Sequence, residues 1–309
     1  MSQQCLSRYF VGCIALLFFA NSVRGGFVID VSIIDPTNSF QSYYAPIRSH
    51  AIASGQRWGS HFAGTTNLQL EVAFDNSIPT ANGGSVTSSF VANRGGFNIF
   101  EQGVAAEVRT GIDPNGASSD YRFTFGANYL RNELWFDTDP FSRSSVVPTD
   151  RTDAMSVFLH EFGHALAFNG WQNSIDGTYP GDFKSTFDER KTFDGTNFNF
   201  NGSNATGLYG TPVPITFGNS THLGNSLPRP GADLIPDLMN GVVFFRGTRY
   251  DISPLDLAIV ADTGLTVISV PEPSSIAYCA LTLLFARVSW RNRYNRRTKN
   301  CSEVLDQPF

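Results

Sequence analysis

Ala154-Met155-Ser156-Val157-Phe158-Leu159-His160-Glu161-Phe162-Gly163-His164-Ala165-Leu166 is the stretch on which the reading of this chain turns. Met155, Phe158, Leu159, Phe162 and Leu166 keep the i, i+3, i+4 rhythm of a helix with one apolar face. Asp150 or Thr152 is the expected N-cap, and Asn169-Gly170 the expected stop. Residues four apart on a helix lie about 40° apart around its axis, so His160 and His164 project to the same side and can share one metal ion. Glu161 stands next to them, placed to reach a water at that ion without being a ligand itself. With five histidines and eight glutamates in 309 residues, chance would produce this spacing roughly 0.002 times.

Working outward, the chain before this helix reads as mixed strands and helices. Phe27 to Ile34 is a predicted strand, and the stretch from about Ser42 to Phe62, with Tyr44, Ile47, Ile52 and Trp58, a predicted helix. Leu68 to Phe74 alternates apolar and polar residues as a half-buried strand does. Shorter strands are expected around 86–90, 97–100, 121–125 and 132–136. Beyond the helix, 171–221 is rich in Gly, Asn, Thr and Phe, and reads as a long irregular connection packed through Phe187, Phe193, Phe198, Phe200 and Tyr209. Ser253, Pro254 and Asp256 then form a capping arrangement for a last short helix ending at Gly264. The fold class expected is α+β, with a mixed sheet, one site-bearing helix and an irregular C-terminal part. The expected divisions are 26–149 for an N-terminal α/β subdomain and 150–269 for the helix and C-terminal subdomain.

Composition bounds the function. The chain is 41% hydrophobic, enough for a core, and only 16% charged with a net charge of −5. The basic residues gather at the two ends, leaving 14 basic against 24 acidic residues between Gly26 and Val270. An acidic body of this kind is no nucleic-acid binder. All four cysteines, Cys5, Cys13, Cys279 and Cys301, also lie near the ends, so the body has no internal disulfide, no thiolate nucleophile and no cysteine metal site.

The ends read as addresses. Residues 1–25 combine Arg8, an apolar run from Val11 to Ala20 and small residues at Ala20, Ser22 and Gly25, the pattern of an export signal cut by a signal peptidase. Near the other end come Val270-Pro271-Glu272-Pro273-Ser274, an apolar run from Ile276 to Ala286 and a cluster of arginines. Eleven apolar residues cover only about half of a ~30 Å hydrocarbon core. This order over 270–299 resembles the PEP-CTERM sorting tail of exported bacterial proteins, with 300–309 trailing beyond it. The resemblance implies processing by an exosortase, transient membrane association through the tail, and a destination at the cell envelope or outside the cell. The arginines, left on the cytoplasmic side, agree with it.

A catalytic zinc wants three protein ligands and an open fourth position. The remaining histidines are His50, His61 and His222. His50 reads as a helix-surface residue and His61 as a loop residue, whereas His222 follows the long connection and precedes Asp237-Leu238-Met239-Asn240. A rival third ligand is Glu189 in Phe187-Asp188-Glu189-Arg190, since gluzincins draw a glutamate from downstream of the HExxH helix. The order His160 to Phe168, a long insertion, Thr221-His222, Asp237-Leu238-Met239 and a short helix ending Asp262-Thr263-Gly264-Leu265 resembles the leishmanolysin-like branch of the metzincin metalloproteases. The resemblance spans about residues 150–266. It implies a zincin fold, one zinc ion held by His160, His164 and His222, Glu161 as catalytic glutamate and Met239 as the turn methionine beneath the metal. Two departures stand out: Ala167 where the family has glycine, and an unusually long interval from His222 to Met239 with Pro228, Pro230 and Pro236 in it.

The function expected is that of a secreted zinc endopeptidase, in which the metal polarises the peptide carbonyl and Glu161 acts as general base and then general acid. A protein or peptide substrate would lie extended along a strand edge, for which 132–136 is the expected partner. The alternative is a non-catalytic surface or matrix protein that retains the fold. Calcium is a second candidate cation at Asp113, Asp137, Asp139, Asp176 and Asp194, but these lack any ligand-loop spacing and read first as solvated loop carboxylates.

Overall fold

We describe residues 25–268 in a computed structural model of the protein. The expected export signal, apart from its last residue, the sorting segment with its trailing extension, and all four cysteines lie outside the described residues. Among the described residues no helix is long and apolar enough to cross a membrane.

The architecture is α+β. Strand β1 (Gly26–Ile34) alternates as its sequence requires: Phe27, Ile29 and Val31 are buried while Val28 and Ile34 face outward. Helix α1 (Tyr44–Gly59) returns the chain to β2 (Thr65–Asp75), which pairs with β1 in parallel, in register from Gly26↔Thr65 to Ile34↔Ala73. Next come β3 (Ala81–Ser85), β4 (Ser88–Arg94), β5 (Phe97–Gln102), α2 (Gly103–Thr110) and β6 (Tyr121–Gly126). The main sheet has the order β1-β2-β6-β3, with β6 parallel to β2 and β3 antiparallel on the edge. Helix α3 (Ala127–Asn132) and β7 (Leu134–Trp135) follow. The edge strand expected at 132–136 is thus a helix end and a two-residue strand whose partner is β8 (Thr152–Asp153). The strand expected at 86–90 lies later, as β4, and β3 had no counterpart in the expectation.

Helix α4 (Ala154–Leu166) carries the His-Glu-His stretch and is buried along its whole length, as a helix apolar nearly all round must be. Its N-cap is Asp153 rather than Asp150 or Thr152, and the Asp153 carboxylate accepts from the Ser156 amide at 3.1 Å. The same buried carboxylate pairs with Arg143 at 3.1 Å and Arg249 at 3.3 Å, so capping and charge pairing fall on one residue. Phe158 stacks on Phe123 of β6 at 4.8 Å between ring centres, and Phe162 packs edge-on to Tyr121 at 4.9 Å. From α1, Trp58 donates its indole N–H to the Leu159 carbonyl at 2.9 Å, locking the two helices together.

The connection after α4 is more ordered than its composition suggested. Strand β9 (Phe183–Ser185) joins the sheet of β4 and β5. Strands β10 (Lys191–Phe193), β11 (Phe198–Phe200) and, after helix α5 (Ser203–Tyr209), β12 (Val213–Ile215) form an antiparallel sheet of their own. Phe187, Phe198 and Phe200 are fully buried as expected, with Phe193 and Tyr209 packed at the margin. The last helix, α6 (Pro254–Asp262), has the complete capping box of Ser253 and Asp256. At its far end Asp262 accepts from the Asn204 and Ala205 amides at 2.9 Å each, capping α5 from outside.

Candidate metal centre

His160 and His164 lie one turn apart on α4, and His222 comes to them from the segment after β12. The three Nε2 atoms stand 3.0 Å (His160 to His222), 3.0 Å (His164 to His222) and 3.2 Å (His160 to His164) apart. Each second ring nitrogen already has a partner. His160 Nδ1 lies 2.8 Å from the Leu238 carbonyl, His164 Nδ1 2.5 Å from the Phe168 carbonyl and His222 Nδ1 3.2 Å from the Thr221 hydroxyl. A carbonyl can only accept, so in His160 and His164 the proton sits on Nδ1 and Nε2 presents a bare lone pair. Burial pushes His160 down to about 3 and His164 down to about 4, and it drives His222 well below the usual histidine value, each helped or opposed only secondarily by neighbours. Neutral imidazoles with lone pairs converging at 3.0–3.2 Å repel one another unless something positive lies between them. Tetrahedral zinc with Zn–N bonds of ~2.05 Å would set its nitrogens ~3.3 Å apart, close to the spacing here. By donor chemistry and separation, the triad can hold a metal ion.

Glu161 lines the same cleft, a cavity of about 440 Å³ that also takes in Thr80 to Gly83, Tyr129 and Val242 to Phe244. Burial pushes its carboxyl up to about 8, opposed by a hydrogen bond from the Gly83 backbone. A Cβ on Gly83 would stand 2.7 Å from the Glu161 Cβ, so β3 approaches α4 as closely as it does because residue 83 has no side chain. Tyr129, its hydroxyl pushed up to about 12 chiefly by burial, stays a hydrogen-bond donor at the cleft wall.

Met239 is fully buried beneath α4; a Cβ on Gly163 would meet its sulfur at 2.6 Å. The long interval from His222 is taken up by a loop that closes on itself, through Asn225 N–H to the Ala232 carbonyl at 2.9 Å, before the chain returns. Leu223 N–H then donates to the Met239 carbonyl at 2.8 Å, and Gly241 N–H to the Leu223 carbonyl at 3.0 Å, tying the third histidine to the methionine loop. Ala167 leaves the helix with φ −151°, a conformation that needs no glycine.

Other expectations fall elsewhere. Glu189 sits on a 3-10 turn and pairs with Arg94 at 3.2 Å, lining a different cavity. His50 is not a surface residue: it is fully buried, between the Pro46 carbonyl at 2.8 Å and the Asp137 amide at 3.2 Å. Asp137 is buried too, paired with Arg249 at 2.6 Å, whereas Asp139, Asp176 and Asp194 accept from nearby backbone amides in their turns. Sequence reasoning missed Asn82, Gly83 and Tyr129. No spacing flags them, although the Gly83-Gly84 pair shortly after a half-buried strand is the signal that could have pointed to a close backbone approach. No protein family, curated protein or solved structure matches this chain.

Proposed function

We propose that this protein is a zinc-dependent endopeptidase with a metzincin-like fold, exported to the bacterial envelope. The observation that carries the reading is the meeting in one cleft of three donor nitrogens, a buried carboxyl from the helix that supplies two of them, and an edge strand. His160, His164 and His222 would hold the ion through Nε2, with Met239 as the floor under α4. When bound, zinc supplies Lewis acidity that polarises a carbonyl and makes water a stronger acid. Glu161 takes a proton from the attacking water on its carboxylate and passes it to the leaving amine. Its burial favours the protonated state, and a cation nearby favours the charged one, so a carboxyl between those influences can both accept and release a proton near neutral pH. An extended peptide would add alongside β3, in place of the strand edge expected at 132–136, with backbone pairing giving affinity independent of side chains.

Glu161→Gln should keep zinc and fold while cleavage of an unstructured protein substrate falls by about 10² to 10⁴. Undiminished cleavage would overturn the mechanism proposed for Glu161, and a zinc-loaded wild type that cleaves nothing would return the chain to the reading of a non-catalytic envelope protein.

A further inference from the structure

Glu107 on the buried face of α2, Asp113 in the loop that follows and Asp120 at the start of β6 bring carboxylate oxygens within 4.8 Å of one another. Glu107 is 5% exposed and Asp120 1%, and the nearest cations in sequence, Arg109 and Arg122, are committed to Glu101 and Glu71. Among the described residues, Glu107 Oε2 and Asp120 Oδ1 are buried with no hydrogen-bond partner. The donors nearby are already used. The Gln69 amide goes to the other Asp120 oxygen at 2.7 Å, the Asn115 and Gly116 amides go to Asp113 at 2.8 and 2.7 Å, and the Asn115 side-chain NH₂ goes to the Ser118 and Ser119 carbonyls at 2.8 and 3.0 Å. Acceptor oxygens left without donors in a protein interior are costly, and carboxylates gathered this closely need a cation or a proton between them.

We propose that Glu107, Asp113 and Asp120 form a calcium site that fastens the 111–120 loop to the main sheet. Only oxygen is on offer, which favours a hard cation over zinc. Calcium at ~2.4 Å takes several carboxylate oxygens in a flexible shell, whereas magnesium at ~2.1 Å seldom takes three protein carboxylates. The Asp113 side is open for water to complete the shell, and the site is independent of the histidine cleft. Asp120 holds both Gln69 of β2 and, through its carbonyl, the Val86 amide at 2.9 Å. Calcium there would brace the link between β3 and β4 that leads into the cleft. The competing account is a proton shared by Glu107 and Asp120, consistent with Glu107 being pushed up to about 7 by burial first and by Asp120 and Asp113 next.

Calcium titrated into the whole protein in chelator-stripped buffer, followed by calorimetry and by thermal melting, tests the site. The site requires one calcium per chain, a higher Tm with calcium than with equal magnesium, and the same calcium affinity in His222→Ala as in wild type. Asp113→Asn keeps the turn acceptor but removes a charge, and should weaken calcium at least about tenfold; Glu107→Gln should abolish the response. No calcium response in the wild type, an equal response to magnesium, or affinity unchanged in both carboxylate variants would overturn the proposal. A wild type blind to calcium whose Glu107→Gln variant is as stable as itself would establish the shared proton instead.

Discussion

His50 and the three clustered histidines put one side chain to opposite uses. Both nitrogens of His50 are satisfied inside the core, one by the Pro46 carbonyl and one by the Asp137 amide, and its ring packs edge-on to Phe136 at 5.0 Å. In the cluster one nitrogen of each ring is held and the other faces the remaining two rings. Burial, against the smaller pull of Asp153 and Asp137, pushes His50 down to about 4, compared with ~6.5 in an unfolded chain. Between those values the unfolded chain binds a proton that the folded chain refuses. Stability from this residue is therefore full above pH ~6.5 and declines as pH falls toward 4, by up to about 1.4 kcal/mol per pH unit. Urea unfolding of the chelated protein should show His50→Gln losing about one proton's worth of that slope; an acid limb as steep as the wild type's would contradict the assignment. In the sequence His50 differs from His160 only by its neighbours. Its Arg48-Ser49 flank reads as surface, and burial of that helix face was set by tertiary packing that no local pattern records.

At the scale of elements, α4 was legible almost to its ends because its period is unbroken, although its N-cap, Asp153, is neither of the residues expected. The capping box of α6 was legible because its chemistry is short-range. Strand β3 was not: Ala81-Asn82-Gly83-Gly84-Ser85 has neither alternation nor β-branched residues. Its place on the sheet edge is decided by β6 and by the absence of a side chain over Glu161. Gly83→Ala would force a Cβ into 2.7 Å contact with the Glu161 Cβ, whereas the nearest atom to a Cβ on Gly84 is Asn169 Nδ2 at 3.4 Å. The first substitution should lower peptide cleavage at least about tenfold and stability by about 1–3 kcal/mol, with metal content unchanged. The second should do neither. Equal kinetics in the two variants would show that β3 does not position Glu161.

For the whole molecule, one hydrophobic cluster runs from β1 through α4 to α6, and the donors of the centre come from segments separated by more than fifty residues. The α+β class was readable from the succession of strand and helix patterns, whereas His222 beside His160 and His164 was implied by a resemblance, the residues alone having left Glu189 open. The ordered sheet of β10, β11 and β12 was hidden because its strands are three residues each and depend on one another. The carboxylates of the proposed calcium site stood in no motif and met only through the turn from α2 into β6. Holding the ion at a centre that joins α4 to the 222–241 segment would stabilise the native state by mass action. Metal analysis of the purified protein beside its His222→Ala and Glu161→Gln variants tests this most directly. One zinc per chain in the wild type and in Glu161→Gln, and none in His222→Ala, is the result expected; a wild type that carries no zinc, or a His222→Ala variant that keeps it, would contradict the account.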